Sequence, residues 1–178
     1  MEDESLKVSI VCHGNIARSQ VLQHYLAEHA GRRSMDIDLY SCGTAPLDAY
    51  PNADLLLDEV RDELRKRGLN RPVLRNVLDD ESLQHLLGSD LILVADSNRR
   101  KEVLARLGKK GRSKKIVLFY EFIGEGPKDF TDTYNPKSRA QDPERFSNCF
   151  DELERIAQAA IECIQTTGSQ PPRIFPTE

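Results

Sequence analysis

The stretch Lys7-Val8-Ser9-Ile10-Val11-Cys12-His13-Gly14-Asn15-Ile16-Ala17-Arg18-Ser19 decides how this chain is read. Lys7 to Val11 is a short β-branched run, which predicts a strand. It ends directly in Cys12-His13-Gly14-Asn15, where the backbone must turn. From Arg18 onward Val21, Leu22, Tyr25, Leu26 and Ala30 keep helical spacing, with Gly31 as the predicted stop. In such a strand–loop–helix unit, His13 to Ala17 turn their backbone N–H groups toward a shared centre. A nest of that kind, capped by a helix N-terminus, is an anion site. Gly14 and Asn15 are the residue types most tolerant of the positive φ that a tight cradle asks for. Arg18 adds a planar charged fork matched to two phosphate oxygens. At the base of the cradle the amide dipoles, the helix end and Arg18 favour the thiolate of Cys12, the nucleophilic form of the side chain. The Ser19 hydroxyl is placed to stabilise that sulfur. A thiolate beneath a bound phosphate is set for in-line attack on phosphorus.

Outward from this loop, strands and helices alternate. Strands are expected at Ile37 to Cys42, Leu91 to Ala95 and Ile116 to Phe119. Helices are expected after Asn52, a candidate cap closed at Gly68, after Asp96-Ser97-Asn98, and from roughly Phe146 to Ile164. His24, His29 and His85 fall on predicted helices without metal-ligand spacing. Continuous apolar runs in the middle strands predict a parallel sheet covered on both faces, a single α/β domain. Residues 121–141 read as a long connection, and long connections are usually functional or mobile. Residues 1–166 read as the catalytic domain and residues 167–178, with Pro171, Pro172 and Pro176, as a flexible tail.

The bulk numbers bound the function. At 178 residues, 39% hydrophobic and 30% charged, the chain suits one well-solvated domain. A formal charge of -4 argues against a general nucleic-acid binder. No apolar run approaches the roughly 20 residues of a membrane span, and Met1-Glu2-Asp3-Glu4-Ser5 is acidic where a leader would be basic. A cytoplasmic location is expected. Cys12, Cys42, Cys149 and Cys163 are widely spaced, with neither a disulfide framework nor a zinc cluster among them. The run Lys109-Lys110-Gly111-Arg112-Ser113-Lys114-Lys115 is expected to be a solvated loop.

Val11 to Ser19 resembles the hydrophobic-Cys-x-Gly-Asn-x-x-Arg-Ser signature of the low-molecular-weight protein tyrosine phosphatases. Ser41-Cys42-Gly43-Thr44 is similar to a segment beside that family's active site, and Asp96-Ser97-Asn98 and Asp142-Pro143 continue the likeness over about residues 7–165. The resemblance implies a four-stranded parallel sheet and hydrolysis of phosphate monoesters through a phosphocysteine, with no cofactor and no metal. It implies Cys12 as nucleophile, with His13, Gly14, Asn15, Ile16, Ala17, Arg18 and Ser19 holding phosphate. It implies Asp142 as the acid that protonates the leaving oxygen and later activates water, with Asp129 and Asp132 as rivals on the same connection. The substrate would be a phosphorylated protein or a small phosphomonoester, in an assembly of unknown size. Three departures stand out. Glu144-Arg145 follow Asp142-Pro143 where relatives carry two aromatics, leaving Tyr50, Tyr134 or Phe146 to wall the pocket. Ala17 stands where many relatives carry a second loop cysteine, with Cys42 as the one candidate substitute. A histidine that relatives carry after the second helix is Pro72 here. Ile16, where phosphoarginine-selective relatives carry Thr, leans toward phosphotyrosine. An arsenate reductase or a non-catalytic phosphate reader on the same fold is the alternative, though no cysteine lies between Asn76 and Arg106 to relay electrons.

Overall fold

A computed structural model describes residues 5–168. Strand β1 (Leu6–Cys12) leads into helix α1 (Arg18–Arg32), then β2 (Ile37–Gly43), a 3₁₀ turn (Leu47–Ala49), α2 (Ala53–Lys66) and α3 (Asp80–Gly88). There follow β3 (Leu91–Val94), α4 (Ser97–Leu107), a second 3₁₀ turn (Gly108–Ser113), β4 (Ile116–Leu118), the short α5 (Phe119–Phe122), a hairpin of β5 (Tyr134–Asn135) and β6 (Ala140–Gln141), and α6 (Pro143–Thr167). The four long strands form one parallel sheet in the order β2-β1-β3-β4. The expected four-stranded sheet with helices on both faces is therefore present.

Alternation along β1 sorts its side chains between two layers. Val8, Ile10 and Cys12 join the core shared with α1, α2 and α6, while Val11 joins the core of α3 and α4 with Ile92 and Val94. The strand order reverses between β1 and β3, so the connections leaving these neighbours diverge and open a crevice at their C-terminal ends. Cys12 ends β1 and Asp96 follows β3 at that crevice.

Several predicted boundaries move for local reasons. Helix α1 passes through Gly31 to Arg32, and Ser34 rather than Gly31 takes the left-handed conformation, at φ 53°. Helix α6 starts at Pro143, three residues before the expected Phe146, because Asp142 caps it and Pro143 fits its first turn. Asn52 sits at the start of α2 but makes no cap bond; its Nδ2 donates to the Arg139 carbonyl at 2.6 Å. The connection 121–141 holds the β5–β6 hairpin. The basic run 109–115 forms the second 3₁₀ turn and its exit, with Lys114 Nζ donating to the Ser89 carbonyl. The segment expected to be a flexible tail lies, beyond residue 168, outside the described residues. Among the described residues no helix is long and apolar enough to cross a membrane.

Candidate active site

All described peptide bonds are trans, so a carbonyl that points one way sends the next N–H the other. This fixes the sense of the loop after β1. The carbonyls of Cys12, His13, Gly14 and Asn15 accept from Thr44 N, Ala45 N, Arg75 Nε and Gln20 Nε2, all outside the loop. The N–H groups of His13 to Ile16 therefore turn to the opposite side, into the cradle. Asn15 takes the left-handed turn at φ 51°, whereas Gly14 has a negative φ. Gly14 is needed for room: a Cβ there would meet the Tyr50 ring at 2.8 and 2.9 Å.

A polar chain behind the loop orients Ser19. Asn15 Nδ2 donates to Ser19 Oγ at 2.8 Å and to Ser41 Oγ at 3.0 Å, and Ser41 Oγ donates to Gln23 Oε1. Asn15 Oδ1 in turn accepts from Asn76 N and Gln20 Nε2, which settles the amide's orientation. With Asn15 as its donor, Ser19 has its own hydrogen free for Cys12 Sγ, 3.0 Å away.

Arg18 is 3% exposed and its fork is divided. Nη1 donates to Asp96 Oδ2 at 2.9 Å and to the Phe130 carbonyl at 3.1 Å; Nη2 donates to Asp132 Oδ2 at 2.7 Å. Burial works against the guanidinium's charge, but Cys12, Asp132 and Asp96 outweigh it and hold its pKa above the ordinary value. One pocket collects Cys12, Ile16, Arg18, Tyr50, Leu56, Asp132, Tyr134 and Gln141. The Tyr50 and Tyr134 rings meet edge to face, with centroids 4.9 Å apart. His13 Nδ1 lies 2.6 Å from the Tyr50 hydroxyl. Burial, then Arg99, lowers the His13 pKa, while burial, then Asp132 and Cys12, raises that of Tyr50. His13 and Tyr50 therefore share this bond as neutral groups. Arg75, which sequence reasoning passed over, braces the same ring at 5.5 Å as it holds the Gly14 carbonyl.

A match to the family model of the low molecular weight phosphotyrosine protein phosphatases spans residues 7–170. The chain belongs to that family. It is a cysteine-dependent phosphatase of the tyrosine phosphatase type, acting on phosphorylated substrates. Solved structures carry the same fold. The low molecular weight phosphotyrosine phosphatase of Vibrio cholerae O395 is 20% identical, covers 92% of this chain and 99% of its own, and gives a TM-score of 0.72. The YwlE arginine phosphatase of Geobacillus stearothermophilus is 17% identical, with 90% and 94% covered and a TM-score of 0.68. A low molecular weight protein tyrosine phosphatase of T. tengcongensis is 22% identical, with 89% and 99% covered and a TM-score of 0.64. No curated protein matches by sequence.

Within this phosphatase the loop residues Cys12 to Ser19 lie together after β1, and the carboxylate that shares their pocket is that of Asp132. Asp142 does not line the pocket: its carboxylate accepts from Arg145 N at 3.0 Å and caps α6. Asp129 is held by Ser97, accepting from its N at 2.8 Å and its Oγ at 2.9 Å. Asp132 alone of the three reaches Arg18. The signal available in sequence was an acid followed two residues later by an aromatic, Asp132-Thr133-Tyr134. The Asp-Pro pair marks a helix start instead. Tyr134 and Tyr50 wall the pocket, which Glu144 and Arg145 do not line, and Phe146 packs on Phe150. Cys42 is no substitute for a loop cysteine. It pairs in register with Val11 and shares that residue's face of the sheet, opposite Cys12. Burial, and behind it Cys12, pushes its thiol up to about 12.

Proposed function

We propose that this phosphatase removes phosphate from tyrosine side chains of proteins, with Cys12 as nucleophile, Arg18 and the loop N–H groups as the phosphate cradle, and Asp132 as acid and then base. What carries the reading is one pocket that brings Cys12, Arg18 and Asp132 together between two tyrosine rings. In the first step Cys12 Sγ attacks phosphorus, the ester P–O bond breaks, and protonated Asp132 gives its proton to the leaving oxygen. In the second, water attacks the phosphocysteine, the S–P bond breaks, and Asp132 takes the water's proton. Ser19, donating to Sγ, stabilises the thiolate both as it attacks and as it leaves.

An aryl group suits the walls. Tyr50 and Tyr134 offer ring faces and edges, worth ~0.5–1.5 kcal/mol per aromatic pair beyond burial, and Ile16 and Leu56 complete an apolar slot. The arginine-phosphatase relative makes phosphoarginine the competitor to test. A free thiol nucleophile keeps its activity in a reducing compartment, which supports a cytoplasmic location. A redox reading needs a reactive second thiol within reach of Cys12; Cys42 faces away, and burial pushes the thiol of Cys149, in the same core as Cys12, up to about 12.

The test is turnover of a phosphotyrosine peptide, a phosphoarginine peptide and a simple aryl phosphate by wild type and Cys12→Ser, with vanadate as inhibitor. Vanadate-sensitive hydrolysis, lost in Cys12→Ser and fastest on phosphotyrosine, is expected. Preference for phosphoarginine would overturn the substrate, and no turnover by folded wild type would overturn the mechanism.

A further inference from the structure

Gln141 is the cross-strand partner of Tyr134 in the β5–β6 hairpin. Residues directly opposite in an antiparallel pair send their side chains to the same face, and both of these line the pocket above Cys12. Gln141 Oε1 is enclosed there and accepts no hydrogen bond among the described residues. Buried acceptors are nearly always paired, so one left open inside a reaction pocket asks for a donor brought by the chemistry. Asp132, on the same wall, is the second acceptor.

A water has two O–H donors. Two acceptors that take both of them fix its orientation and leave a lone pair free to attack. We infer that Gln141 positions the water that hydrolyses the phosphocysteine, its Oε1 accepting one hydrogen while Asp132 accepts the other. This rests on the proposed roles of Cys12 and Asp132. The bonds balance: the water oxygen forms a bond to phosphorus, the S–P bond breaks, its electron pair returns to Cys12 Sγ, and the proton facing Asp132 passes to that carboxylate. The hydrogen held by Gln141 stays on the departing phosphate. Gln141 thus serves the second step, whereas Asp132 serves both.

Gln141→Met keeps the bulk of the side chain and removes the acceptor; Gln141→Ala is the second variant, and thermal unfolding checks that both fold. Rapid mixing with an aryl phosphate followed by acid quench gives the formation and decay rates of the phosphoenzyme directly. Both variants should slow decay on the order of 10- to 100-fold, the effect of a misplaced nucleophile. Since kcat/KM reports the steps up to phenol release, it should stay within about 3-fold of wild type, with phosphoenzyme accumulating toward one per site. Added alcohol should capture a larger share of the phosphoryl group than in wild type, because water has lost its guide. Unchanged decay, or kcat and kcat/KM falling together without accumulation, would overturn the role of Gln141 while leaving the phosphatase reading intact. Wild type that turns over aryl phosphate without any trappable phosphoenzyme, or does not turn it over, would overturn the reading beneath it and this inference together.

Discussion

Exchanging Asp132 for asparagine separates the carboxylate above Cys12 from its rival at the start of α6. The side-chain amide of Asp132→Asn keeps the shape of the carboxylate and an oxygen for Arg18 Nη2, now 2.7 Å from Asp132 Oδ2, and gives up the bond that Asp132 Oδ1 accepts from Tyr134 N at 3.1 Å. What the chemistry loses is the titratable carboxyl. Loss of a positioned acid–base group costs on the order of 10²- to 10⁴-fold in rate, or about 2.7–5.5 kcal/mol of barrier. The loss should be greatest for phenyl phosphate and smallest for p-nitrophenyl phosphate, whose phenolate leaves with little help. Asp142 should behave in the opposite way. Its carboxylate accepts from Arg145 N at 3.0 Å and caps α6, so Asp142→Ala should cost about 0.5–2 kcal/mol of stability. At roughly 2–4 °C per kcal/mol for a chain of this size, Tm should drop by a few degrees, with the rate per folded molecule unchanged. The assay is kcat on both esters for the two variants beside their thermal unfolding curves. Wild-type turnover of phenyl phosphate by Asp132→Asn, with loss of turnover in well-folded Asp142→Ala, would refute the assignment.

Three further outcomes follow from the geometry. Gly43→Ala should weaken both fold and phosphate affinity, because a Cβ there lies 2.6 Å from the His13 carbonyl and 2.7 Å from Asn15 N and the Gly14 carbon, all backbone atoms that cannot step aside. A cost of about 1–3 kcal/mol or more is expected in thermal unfolding, together with weaker vanadate inhibition. Stability should fall on acidification through His13: burial and Arg99 hold its pKa below 6.5 in the fold, so between that lowered value and 6.5 the unfolded chain binds more protons and stability rises with pH. His13→Gln should flatten this slope of Tm below pH 6.5, leaving the part due to His29, which burial also lowers. Finally, iodoacetate at neutral pH should modify Cys12 before Cys42 or Cys149, because burial pushes those two thiols up to about 12; peptide mapping that finds either alkylated first would contradict this.

The loop was legible in the sequence because its causes are local. A β-branched run fixes the strand, periodic apolar residues fix the helix, and the few residues between them have one compact way to join the two. Asn15 takes its left-handed turn as its residue type allows. Gly14 was read for backbone freedom and is in fact needed for space beside Tyr50. That cause could not be read, because it lies 36 residues away along the chain. Gly43 is similar: its demand comes from the loop backbone stacked against the end of β2, not from its own turn.

The carboxylate that lies beside the loop was hidden for the same reason at longer range. Which of Asp129, Asp132 and Asp142 reaches Arg18 depends on how residues 129–133 cross the end of β3. Phe130 N donates to the Ala95 carbonyl at 2.8 Å and the Phe130 carbonyl accepts from Arg18. With Phe130 docked there and buried, its neighbours divide: Asp129 falls toward the start of α4 and bonds Ser97, and Asp132 falls over the loop and bonds Arg18. Asp142 opens α6, where its Oδ1 accepts from Arg145 N, and it does not line the pocket that holds Cys12. A sequence shows three acids on one connection, each with a plausible neighbour. The deciding fact is the pairing of one apolar residue, Phe130, with the C-terminal end of a central strand more than thirty positions earlier, and only the assembled fold supplies it.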